Sequence, residues 1–132
     1  MLNRRSSILL IDDEEDYCRL IKMHLEGVSD YEFYFATTGD EGIKLSRELR
    51  PDVILLDIMM PGMNGFEVLE KLKKDAETIK IPVIMLSARD DEKAKLKAAQ
   101  LYDESYITKP IDVHILKEKI DEVLTRRKSP AN

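Results

Sequence analysis

Val53-Ile54-Leu55-Leu56 runs four apolar residues without interruption, entered through Pro51-Asp52 and left at Asp57. Ile8-Leu9-Leu10-Ile11, followed by Asp12-Asp13, and Val83-Ile84-Met85-Leu86, followed by Ser87, repeat the pattern. Runs this short, β-branched and free of polar alternation fit strands covered on both faces, which is the condition of a parallel sheet. Two weaker segments, residues 31–36 and Ser105-Tyr106-Ile107-Thr108, mix polar with apolar positions and read as edge strands.

Helix-period segments separate these strands. Residues 14–26 carry Cys18, Ile21 and Leu25 on one stripe, with Asp12 or Asp13 as the expected cap. Residues 39–49 should turn Ile43 and Leu45 inward and stop before Pro51, and residues 65–74 align Phe66, Leu69 and Leu72. Residues 90–101 are charged and Ala-rich, and residues 112–126 align Leu116, Ile120, Val123 and Leu124. Five strand–helix repeats predict an α/β fold with helices on both faces of a parallel sheet. The fully apolar strands are the first, third and fourth, so the second and fifth belong at the edges. That is the flavodoxin-like doubly wound order 2-1-3-4-5, with five helices.

A chain of 132 residues is one domain, and 43% hydrophobic residues suffice for its core. The net charge of −5 argues against direct nucleic-acid binding, which needs clustered Lys and Arg. Arg126-Arg127-Lys128 reads as a solvated helix end in preference to the start of a linker. The one cysteine, Cys18, excludes an internal disulfide and reads as a small core hydrophobe. No apolar run approaches a membrane span or a signal peptide, so a soluble cytoplasmic protein is the default expectation.

In a sheet of this winding, ligands bind beyond the carboxyl ends of the strands, where the order reverses between the first and third. Asp12 and Asp13 follow the first strand, Asp57 the third, Ser87 the fourth and Lys109-Pro110 the fifth. Each has an ordinary structural reading as helix cap, loop residue or solvated charge. Four residue types at four neighbouring strand ends make a site the better account. Crowded carboxylates raise at least one pKa, and a hard divalent cation relieves the repulsion. Magnesium suits this set, because it takes one or two carboxylates and favours phosphate oxygens. Calcium would want a denser oxygen cage, and His24 and His114 are isolated, so zinc is not indicated. A carboxylate beside magnesium can act as a nucleophile toward phosphorus, with Lys109 and Ser87 placed to stabilise the phosphoryl oxygens.

These residues resemble the receiver domain of two-component response regulators from about Ser7 to about Leu124. The matching stretches are Ile8-Leu9-Leu10-Ile11-Asp12-Asp13-Glu14, Pro51 through Gly65, Ile81 through Ala88, and Tyr106-Ile107-Thr108-Lys109-Pro110. The resemblance implies a receiver domain over residues 1–126, with 127–132 a tail or the start of a linker. It implies that Asp57 is the phosphoacceptor, served by a phosphohistidine on a sensor histidine kinase or phosphotransfer protein. Asp12, Asp13, Asp57 and the backbone carbonyl of Met59 would hold Mg2+, Asp13 directly and Asp12 through water. Ser87 and Lys109 would contact the phosphoryl group, Ser87 and Tyr106 would form the switch, and the Lys109–Pro110 bond would be cis.

Phosphorylation would then shift the surface of the fourth helix, fifth strand and fifth helix toward an output protein or a second copy of the domain. Met59 and Arg89 stand where the family tunes water access, and neither orients water well, which implies a long-lived aspartyl phosphate. The chain departs from the family at Tyr102-Asp103, where Gly-Ala is frequent, and at Ile111, where Phe is frequent. The competing reading is a degenerate receiver that docks partners without phosphorylation. An Asp-based phosphatase would want a second acid two residues after Asp57, where Met59 stands, and a flavin carrier would want aromatic rim loops. No Gly-x-x-x-x-Gly-Lys-Ser/Thr loop supports a nucleotide hydrolase.

Overall fold

The computed structural model describes residues 5–87 and 105–128. Strands β1 (Ser7–Ile11), β2 (Glu32–Ala36), β3 (Val53–Asp57), β4 (Val83–Ser87) and β5 (Ser105–Thr108) form one parallel sheet in the order β2-β1-β3-β4-β5. Helices α1 (Glu15–Val28), α2 (Gly39–Leu49) and α3 (Gly65–Lys73) and a last helix (Val113–Lys128) connect and flank it. The helix expected at 90–101, together with Arg89 and Tyr102-Asp103, lies outside the described residues. The flavodoxin-like winding expected from the apolar runs is the winding found.

Each continuous apolar run divides between two cores because successive side chains leave a strand on opposite faces. Ile8, Leu10, Val53 and Leu55 join Cys18, Ile21 and Leu25 of α1 and Leu116, Ile120 and Leu124 of the last helix. Leu9, Ile11, Ile54 and Leu56 join Val68, Leu69 and Leu72 of α3. Leu10, Leu55 and Leu69 are fully buried, and each such side chain contributes roughly 1.5–3 kcal/mol.

Two local expectations differ from the structure. In α2 the buried residues are Gly39, Gly42 and Ser46, while Ile43 and Leu45 are half-buried at the margin of the second core. The helix approaches β1 so closely that a Cβ on Gly42 would lie 2.5 Å from Ile11 Cδ1, so small residues form the contact. The start of α1 is capped by neither Asp12 nor Asp13. Glu14 occupies the cap position without a side-chain bond, and Asp12 Oδ1 accepts the Glu14 backbone N–H at 3.0 Å. The other oxygen of Asp12 is committed to Lys109, which holds the carboxylate at the sheet edge rather than over the first turn of the helix. At α3, Asn64 and Glu67 form a reciprocal capping box that starts the helix directly after the loop following β3.

Candidate acidic site at the carboxyl edge of the sheet

Strand register sets the site. Ile11 pairs with Leu56, so the residues that follow, Asp12 and Asp57, emerge side by side from β1 and β3. Ser87 pairs with Thr108, and the Lys109 backbone N–H then donates to the Ser87 carbonyl at 2.7 Å, which anchors the lysine beside β4. The Lys109–Pro110 bond is cis, as the resemblance implied.

Asp12 is fully buried and Asp57 is 4% exposed. Lys109 Nζ lies 3.0 Å from Asp12 Oδ2 and 3.4 Å from Asp57 Oδ1, a cation shared by two carboxylates. Carboxylate oxygens of Asp12, Asp13 and Asp57 all lie within 4.8 Å of one another. Burial, and then the charge of Asp12, push the Asp57 carboxyl up to about 6, although Lys109 and the Met59 backbone N–H pull the other way. Burial also works against the charge of Lys109. The hydrogen bond to Asp12 and the charges of Asp57 and Asp12 outweigh it, and the ammonium sits above its ordinary value.

The acids fit a hard divalent cation. Oxygen ligands of octahedral magnesium stand about 3–4 Å apart, a spacing that small side-chain adjustments within this cluster reach. A carboxyl lifted first by burial and then by a neighbouring carboxylate is an electrostatic condition that such a cation relieves. His24 and His114 are exposed, and among the described residues Asp12, Asp13 and Asp57 form the one group of metal-ligating side chains.

The Ser87 hydroxyl is fully buried at the end of β4 and has no hydrogen-bond partner among the described residues. Tyr106 lies on β5, on the face opposite Ile107, and is 38% exposed, so the structure does not bring it into the acidic cluster. The Met59 side chain is 66% exposed at the rim. Cys18 is a core residue, its thiol pushed up to about 12 by burial and then by Asp12. A cavity of about 600 Å³ lined by Ile43, Lys44, Arg47 and Lys71 lies between α2 and α3 and includes none of these acids.

Two residues of the site carry no obvious chemical signal. Gly65 opens α3 so near the loop after β3 that a Cβ there would lie 2.4 Å from the Asp57 carbonyl oxygen and 2.7 Å from Ile58 Cα. Tyr17 places its ring under the Lys109 ammonium, 4.8 Å from Nζ to ring centroid. The available signal was spacing: Tyr17 is four residues after Asp13, and helical side chains lean back toward the N-terminus, here toward the strand ends.

A family model for the response regulator receiver domain matches residues 8–121. Protein PilH of Pseudomonas aeruginosa is 38% identical over 117 residues, which cover 89% of this chain and 96% of PilH. The alkaline phosphatase synthesis transcriptional regulatory protein PhoP of Bacillus subtilis is 34% identical over 119 residues, covering 90% of this chain. The match takes in 48% of PhoP, so the chain spans about half the length of that regulator. The receiver domain of the Francisella response regulator 1452 superposes with a TM-score of 0.84 at 30% identity, over 94% of this chain and all of that one. Because the family match runs from the second residue of β1 into the last helix and so takes in every strand and acid of the site, the chain belongs to the response regulator receiver domain family.

Proposed function

We propose that this receiver domain is a phosphorylation-driven switch in a two-component relay, with a working unit that runs to the end of the last helix at Lys128, two residues past the boundary expected from the sequence. Asp57 accepts the phosphoryl group from a phosphohistidine of a sensor histidine kinase or phosphotransfer protein. A carboxylate oxygen of Asp57 forms the new O–P bond as the P–N bond to the imidazole breaks, and the imidazole leaves with the bonding pair. Lys109 moves its charge from the paired carboxylates to a phosphoryl oxygen, and Ser87 donates a hydrogen bond to another. Asp12, Asp13, Asp57 and the backbone carbonyl of Met59 would hold a magnesium ion, which would supply the positive charge for phosphate to approach three acids.

The observation that carries this reading is the shared position of Lys109 between Asp12 and Asp57, its backbone N–H bonded to the carbonyl of Ser87, whose buried hydroxyl has no partner among the described residues. A lysine already neutralising the nucleophile, and a buried donor that no described residue satisfies, are parts that an incoming anion would complete. Drawing Ser87 toward the phosphoryl group lets Tyr106 turn inward. The surface of β5 and the last helix then shifts toward a form that engages an output protein or a second phosphorylated copy.

The test is incubation with acetyl phosphate and magnesium, followed by intact mass and peptide mapping. One added phosphoryl group at Asp57, absent in Asp57→Asn, is expected. A wild-type protein that stays unmodified, and gives no amide shifts around Asp57 and Ser87 with beryllofluoride, would be a docking module instead. Phosphotransfer from a panel of histidine kinases then identifies the partner.

A further inference from the structure

We propose that Tyr17 is a positioning residue for the phosphoryl site, acting through Lys109 by a cation–π contact. The inference rests on the phosphoacceptor reading above and adds a residue to it. Among the described residues, Lys109 is the one cation paired with Asp12 and Asp57, and its side chain is 23% exposed. Two of its neighbours are carboxylate oxygens, at 3.0 and 3.4 Å. The Tyr17 ring is a third, with its centroid 4.8 Å from Nζ, inside the range at which a ring face attracts an ammonium. The ring is itself held, because it packs against the core formed by β1, β3, α1 and the last helix.

The arrangement answers a particular need. A lysine that must leave two carboxylates for a phosphoryl oxygen passes through geometries in which neither partner is optimal, and water competes for its donors. An aromatic face attracts the charge without occupying an N–H donor, so it holds the ammonium in place while leaving those donors for oxygen. The Tyr17 hydroxyl takes no part: its oxygen is buried and has no hydrogen-bond partner among the described residues. Burial and the nearby acids, against the pull of Lys109, push that hydroxyl up to about 12, so it stays neutral and the ring keeps its ordinary quadrupole. The ring is therefore the working part and the hydroxyl is dispensable.

Beryllofluoride with magnesium, a non-reacting mimic of the phosphoryl group, provides the readout by titration of amide shifts. Tyr17→Phe should bind it as wild type does, and Tyr17→Leu should bind about fivefold more weakly, a modest cation–π contribution. In a Lys109→Met background, Tyr17→Leu should have no further effect, because the cation it serves is gone. Fluorinated phenylalanines placed at position 17 drain the ring face with little change in volume. Affinity should fall stepwise with fluorine number, and this series answers the question even where Tyr17→Leu does not fold. A flat fluorine series, or an equal loss from Tyr17→Leu with and without Lys109, overturns the inference and leaves Tyr17 a packing residue. Failure of the wild type to bind beryllofluoride overturns the phosphoacceptor reading instead.

Discussion

Replacing Asp57 with Asn should make the metal-free protein more stable at pH 8. The Asp57 carboxyl titrates at about 6 in the fold against an ordinary 3.8, because it is buried and faces Asp12. The folded state thus holds this proton to higher pH than the unfolded chain does. Its contribution to stability is fully present below about pH 4 and is lost as pH rises through about 6. Each unit is worth about 1.4 kcal/mol, so at pH 8 the ionised side chain costs roughly 2–3 kcal/mol. Asn keeps the shape and removes the charge. Lys109 is not stranded, since its 3.0 Å pair with Asp12 remains. With a urea slope of about 1–3 kcal/mol per molar, the unfolding midpoint in EDTA should rise by about 0.7–3 M. At pH 4 the gap should largely close, and saturating magnesium should stabilise the wild type more than the variant. An Asp57→Asn variant no more stable than wild type at pH 8 in EDTA, or an advantage of the same size at pH 4, would refute the view that crowded charge governs this site.

Other consequences can be checked directly. Gly65→Ala should cost about 2–4 kcal/mol in chemical unfolding and slow modification of Asp57, because the new methyl group meets the backbone of Asp57 and Ile58. Asn64→Ala removes one half of the α3 capping box and should cost about 1 kcal/mol with little effect on metal binding measured by calorimetry. Cys18 should resist thiol reagents in the native protein and react only upon unfolding; fast labelling at pH 8 without denaturant would contradict its burial. The aspartyl phosphate should decay slowly, since Met59 at the rim offers no acid or amide to orient water; a lifetime of seconds with magnesium at neutral pH would be the wrong sign.

The strand order and the meeting of Asp12, Asp57 and Lys109 at the sheet edge are legible in the sequence, and for one reason. Unbroken apolar runs report burial on both faces, parallel connections set the winding, and the winding makes the residue after each strand a rim residue. Asp12, Asp57 and Lys109 are such residues, so their meeting follows from counting strands, and Ser87 ends the strand that lies between β3 and β5. What each side chain touches is another matter. Lys109 meets Asp12 across 97 residues of chain, and nothing local to either says which oxygen is taken. That pairing draws Asp12 away from capping α1. It also brings the ammonium over Tyr17, which lies off the Cys18, Ile21 and Leu25 stripe that periodicity marks. The small contact face of α2, built from Gly39, Gly42 and Ser46, was hidden for a related reason. Periodicity marks large apolar residues, whereas the distance between a helix and a sheet is decided by the volumes that meet there, and those are known only once both elements are packed.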